Sequence, residues 1–148
     1  MSLENLVKIK QLQHHTTNPQ EVARLMLAAA ESLSDARNEG LSDSSRFDLA
    51  YKAIMQCAMI GLLVNGYRPS TNTPGHHQTM IQSLGLTVGV ENEVWVVLDT
   101  LRKKRNQSDY SGDLIEPAAL QSCLQQAKSL QARVQKWLKA HRPELVPK

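Results

Sequence analysis

The stretch SDSSRFDLAYKAIMQCAMIGLLVNG, Ser42 to Gly66, decides the fold. Ser42 suits a helix N-cap, and Phe47, Ala50, Tyr51, Ile54, Ala58, Gly61 and Leu62 then recur on one helical stripe until Asn65-Gly66 ends the run. Small residues on that stripe allow neighbouring helices to approach closely. The uncharged segment Ile54 to Val64 contains Gln56 and is too short to cross a bilayer, so no membrane role is expected.

Working outward, the same punctuation recurs on both sides. Asn18-Pro19-Gln20-Glu21 supplies an N-cap, a proline at the first helical position and a carboxylate in the first turn. Val22, Leu25, Met26, Ala29, Leu33 and Ala36 follow at helical spacing up to Asn38-Glu39-Gly40. A short N-terminal helix is expected over 3–12. Downstream, Tyr67 to Asn72 reads as a loop, and Thr73-Pro74 restarts a short helix carrying Met80, Ile81 and Leu84. A further helix is expected from Val90 to about Asn106. The last opens at Glu116-Pro117 and carries Leu120, Leu124, Ala127, Leu130, Val134, Trp137 and Leu138 before the breaker Pro143.

Strand signals are nearly absent, and there is no internal repeat. The pattern predicts an all-α chain, an up-and-down helical bundle of four to five main helices forming one domain over 1–148, with its core at about 18–141 and a C-terminal tail at 143–148. At 148 residues such a domain buries a core without disulfides or metal. Cys57 and Cys123 lie in apolar helical segments without CxxC spacing and fit small buried side chains in a reducing compartment, with a disulfide between them left open. The N-terminal MSLENLVKIKQLQ is interrupted by charges and offers no signal-peptide apolar region, so a cytoplasmic location is expected.

Composition also limits the function. A net charge of +3 permits contact with phosphate but falls short of a dedicated nucleic-acid binder. Two Trp, three Tyr and one Phe argue against an aromatic stacking platform for single strands. There is no Gly-rich phosphate loop, no GxSxG elbow and no paired carboxylates spaced for acid/base work, and no cofactor is implied. His14-His15 and His76-His77 lack the HxxxH spacing of helical metal ligands, so no metal site is expected.

The informative polar stretch is LRKKRNQSDYSGD, Leu101 to Asp113. At about 100° per residue, Val94, Val97, Leu98 and Leu101 form an apolar stripe that Arg105 continues, while Lys103 points the opposite way and Arg102 and Asp109 flank the stripe. An arginine on an apolar stripe requires an anion, because a buried unpaired guanidinium is too costly. The partner is either a carboxylate, with Asp48, Asp99 and Asp109 as candidates, or a phosphate. Asn106 and Asp109 are placed to orient the guanidinium in either case. His77 also lies on an apolar stripe, followed by Met80, Ile81 and Leu84, whereas His76 points elsewhere.

The order of helices over about residues 20 to 140, the segments RFDLAYKAIMQCA and NGYRPSTNTPGHHQTMIQSL, and Arg105-Asn106-Gln107-Ser108-Asp109-Tyr110 together resemble the HEPN superfamily. These are small helical domains of prokaryotic toxin-antitoxin systems and nucleotidyltransferase-associated proteins. Their signature is RNxxxH near the end of a late helix, and Tyr110 stands here where the histidine belongs. In catalytic members the resemblance implies metal-independent RNA cleavage, with the arginine on the scissile phosphate and the histidine in proton transfer across a dimer. Tyrosine, with an ordinary pKa near 10, is a poor base at neutral pH. The resemblance therefore implies a non-catalytic binding or partner module in which Arg105, Asn106, Arg102 and Asp109 form an anion or nucleotide site. It also implies a homodimer or a nucleotidyltransferase-type partner, and contact with RNA or nucleotide. Two alternatives stand beside it: a diverged endoribonuclease using Arg105, Asn106, Tyr110 and His77, and a structural helical dimer with no ligand.

Overall fold

The computed structural model describes residues 2–72 and 74–147. Its elements in chain order are α1 (Leu3–Lys8), β1 (Leu12–His14), α2 (Pro19–Ala36), α3 (Asp43–Val64), β2 (Tyr67–Pro69), α4 (His76–Gln82), α5 (Leu84–Thr87), α6 (Asn92–Ser111) and α7 (Pro117–His141), with a 3-10 turn at Pro143–Leu145. The chain is mostly helical, and α2, α3 and α7 pack together as its core.

The caps form as the sequence predicts. The Asn18 side chain accepts a hydrogen bond from the Glu21 amide at 2.8 Å, with Pro19 at the first helical position, and Ser42 Oγ accepts from the Ser45 amide at 3.1 Å. Each satisfies a donor that the first helical turn leaves without an intrahelical partner, a contribution of about 1 kcal/mol.

Helix α3 is buried nearly all round, from Phe47, fully enclosed, to Val64. It is long and apolar enough to cross a membrane by length and composition, but 72% of that apolar window is buried inside the protein, as in a core helix. Around it, α2 contributes Val22, Ala29, Leu33 and Ala36, and α7 contributes Leu120, Cys123, Ala127, Leu130, Val134 and Leu138. Each large side chain so enclosed contributes about 1.5–3 kcal/mol of burial. Gly61 marks where α5 comes close, since a Cβ there would lie 3.0 Å from Thr87 Oγ1. Asn65 closes the same corner by donating to the carbonyls of Gly61 at 2.7 Å and Thr87 at 3.3 Å. Cys57 and Cys123 are free buried thiols, both pushed up to about 12 by burial.

The expectation of an all-α chain needs a correction. The N-terminal helix stops at Lys8, Lys10 turns the chain with a positive φ of 64°, and Leu12–His14 pairs antiparallel with Tyr67–Pro69, with Leu12 opposite Pro69 and His14 opposite Tyr67. Three-residue strands are too short to display alternation, and their partners lie on opposite sides of two helices in sequence. Thr73 lies outside the described residues, and α4 begins at His76 after Gly75, whose φ of 81° suits glycine. Helix α6 runs beyond Asn106 to Ser111 and ends on Gly112 in the left-handed region. The C-terminal tail is folded onto the body: Leu145 is buried, and an Arg142 Nη donates to the Val64 carbonyl at 2.6 Å.

Candidate functional site

Helices α3, α4 and α6 converge on one polar chain. Arg105 follows the buried Leu101 by one turn of α6 and lies over the ring of Tyr51, its guanidinium carbon 5.1 Å from the ring centroid. Such cation–π contact is favourable and keeps the guanidinium plane accessible at its edges. Tyr51 itself is buried in α3, and its hydroxyl meets His77 Nδ1 of α4 at 3.2 Å. Next along α4, His76 meets the His77 ring edge-on at 4.7 Å between centroids.

These groups line a cavity of about 450 Å³, whose other walls are Leu25, Leu49, Met55, Met59, Pro69 and Met80, with Asp48, Lys52 and Gln56 at its polar margin. A cavity of that size with an apolar wall and a few convergent polar groups is the form ligand sites take.

Electrostatics sets the protonation states. Burial pushes the Tyr51 hydroxyl up to about 12 despite the nearby guanidiniums of Arg105 and Arg102, so it remains a neutral donor. Burial first, then His76, Arg105 and Arg102, hold His77 below its ordinary value, so it is neutral at neutral pH. In the tautomer protonated on Nε2, His77 Nδ1 accepts from Tyr51. Asp48 is raised by burial and by the neighbouring Asp109 carboxylate, with Arg105 opposing.

Among the described residues the nearest carboxylate to Arg105 is Asp109, one turn on, at 3.7 Å from Nε. That separation is beyond good hydrogen-bonding range, and with the two side chains 32% and 47% exposed it is a weak surface pair. Arg105 therefore retains donors for another anion.

The sequence candidates separate into those brought together and those left apart. Arg105 and His77 share the cavity, joined through Tyr51. Arg102 instead donates to Asp99 at 2.8 Å, both side chains largely buried, and Lys103 reaches the same carboxylate at 3.6 Å. Asp99, a candidate partner for Arg105, thus belongs to Arg102. Asn106 is half-buried and does not line the cavity. Tyr110 is 91% exposed in the last turn of α6, clear of the cavity. Val97, expected on the inward stripe, is 36% exposed because α6 is covered on a narrow face only.

His76, expected to point elsewhere, is a wall of the same cavity. Tyr51 was hidden in the sequence as one more member of an apolar stripe. The signal that could have found it is its hydroxyl, which needs a partner once buried. At the other end of the chain, His14 and His15 turn to separate carboxylates, Glu4 at 2.9 Å and Glu21 at 2.8 Å.

Among known proteins, no family model, no curated protein and no solved structure matches the chain. Function rests on the geometry of the cavity itself.

Proposed function

We propose that this protein is a HEPN-like, non-catalytic binding or partner module, its helices arranged as an up-and-down bundle, in which Arg105 holds an anion at the mouth of the α3–α4–α6 cavity. One observation carries it: Arg105 stands over Tyr51, its ion pair among the described residues a long one to Asp109, beside a cavity large enough for a ligand. The anion is the phosphate of a nucleotide or RNA, or an acidic group of a protein partner such as a nucleotidyltransferase-type protein. Homodimer formation and a cytoplasmic setting belong to the same proposal.

The test is titration with mononucleotides, a short single-stranded RNA and acidic peptides at low salt, followed by fluorescence anisotropy. Binding should weaken with added salt and fall about tenfold or more in Arg105→Ala. Absence of any binding at low salt, or binding that Arg105→Ala leaves intact, would overturn the reading.

The endoribonuclease alternative is favoured by His77 sharing the cavity with Arg105. Against it stand the exposed Tyr110, at the position of the family's histidine, and Tyr51, which at a pKa of about 12 is no base. Cleavage of a mixed RNA that disappears in His77→Ala would restore it. The structural alternative predicts instead that Arg105→Ala lowers Tm and changes no binding.

A further inference from the structure

The α3–α4–α6 cavity does not end at its own margin. A second cavity of about 720 Å³, between α2 and the two-stranded ribbon, shares Leu25, Met59, Pro69 and Thr71 with it, so the two form one groove. The far half is cationic. Arg24 of α2 and Arg68 of β2 line it, and among the described residues neither forms an ion pair. Arg68 Nε donates to Gln13 at 3.0 Å. Among the described residues the one carboxylate lining that half, Glu21, is held by Thr17 at 2.6 Å and His15 at 2.8 Å, which lower its pKa, with Arg24 close enough to help. The near half ends on Arg105 and the exposed Lys52, with Asp48 beside them. Between the two arginine-bearing ends the floor is Leu25, Leu49, Met55, Met59 and Pro69.

We propose that this groove receives an extended segment of a partner protein, acidic at both ends and apolar between, with carboxylates on Arg105 and on Arg24 and Arg68 and aliphatic or aromatic side chains on the methionine-rich floor. The proposal rests on the anion-binding reading of Arg105 and names its ligand. Charge complementarity at both ends supplies register, and flexible methionines adapt to the side chains between.

A single-stranded nucleic acid fits the floor less well. Base edges need donors and acceptors, which Leu25, Leu49, Met55, Met59 and Pro69 do not offer, and the Gln56 carbonyl already accepts from Ser32 at 2.9 Å. Tyr51 gives its face to Arg105 and its hydroxyl to His77, so its ring offers no free stacking surface. Apolar side chains require neither.

The experiment is selection of a displayed library of short random peptides on the full chain, with the winners and a single-stranded RNA oligonucleotide then titrated by fluorescence anisotropy. The proteins compared are wild type, the double variant Arg24→Glu/Arg68→Glu and Arg105→Ala. Arg24 and Arg68 are exposed, so the double variant should fold, and circular dichroism checks it. Enriched peptides should carry Asp or Glu on both sides of apolar residues, bind more tightly than the RNA, and lose about tenfold or more in either variant. The proposal falls if selection enriches nothing over the double variant, if the winners lack acids, or if the RNA binds more tightly and loses its binding in the double variant. Loss in Arg105→Ala with none in the double variant leaves the anion site standing and removes the groove. No loss in Arg105→Ala removes the anion site itself.

Discussion

Helices α3 and α6 are of similar length, yet α3 buries thirteen of its 22 residues and α6 only Leu98, Asp99 and Leu101 of its 20. The first is enclosed between α2 and α7, and the second lies along the outside with Val96 and Val97 substantially exposed. A helix buried all round has little room for charge. One buried along a narrow strip can keep Arg102 tied to Asp99 and still offer Arg105 to a neighbouring ring and a cavity. The division of labour follows from burial: α3 supplies stability and the Tyr51 platform, and α6 supplies the cation.

The sharpest break of that comparison is Phe47→Ala in α3. Phe47 is fully enclosed, and removing its ring should cost about 3–5 kcal/mol in chemical denaturation. A loss below about 1 kcal/mol would mean that α3 is not the core it resembles.

Next in size is the alkaline limb of stability. Tyr51 has its pKa raised from 10.0 to about 12, so the unfolded chain ionises first. The stability this group contributes below pH 10 should be lost as pH rises toward 12, by about 2–3 kcal/mol. Denaturation of wild type against Tyr51→Phe isolates this share from that of the buried thiols. Equal alkaline slopes would show Tyr51 to be open to solvent.

Arg105→Ala sharpens the comparison from the α6 side. Binding should fall about tenfold, equivalent to about 1.4 kcal/mol, with a stability change under about 1 kcal/mol. A stability loss of about 3–5 kcal/mol with binding unchanged would make Arg105 a structural strut.

A smaller effect is expected at acid pH. His77 has a lowered folded pKa, so the unfolded chain takes up the proton first. Its contribution is fully present above about pH 6.5 and declines as pH falls toward the folded value. Wild type should therefore lose more stability than His77→Gln between pH 7.5 and 5, and parallel curves would contradict the burial of His77. The smallest effect belongs to Tyr110→Ala, where the exposed ring should be worth less than about 0.5 kcal/mol to the fold and leave Arg105-dependent binding unchanged. A loss of binding there would return Tyr110 to the site.

Much of the fold was legible because it is written locally. Asn18, Pro19 and Glu21, Ser42, the α3 stripe and the α7 stripe each act through neighbours within a turn or two, and each element formed near its expected place. The β1–β2 pair was not legible, since three residues carry no period and Leu12 and Pro69 are separated in sequence by both α2 and α3. Of the site, Arg105 and His77 could be singled out because each interrupts an apolar stripe. Their connection could not, because Tyr51, which joins them, continues a stripe instead.

The sequence by itself determined the main helices and the caps at Asn18 and Ser42, because helical periodicity and capping depend on residues three or four positions apart. Only the tertiary structure decided that Arg105 meets Tyr51, that Tyr51 meets His77, and that Asp99 goes to Arg102. The first two contacts span three helices, and packing of their apolar faces sets which polar residues face one another. The third joins residues three apart on α6, and what packing added was the burial of that turn, which ties Asp99 to Arg102 and away from Arg105.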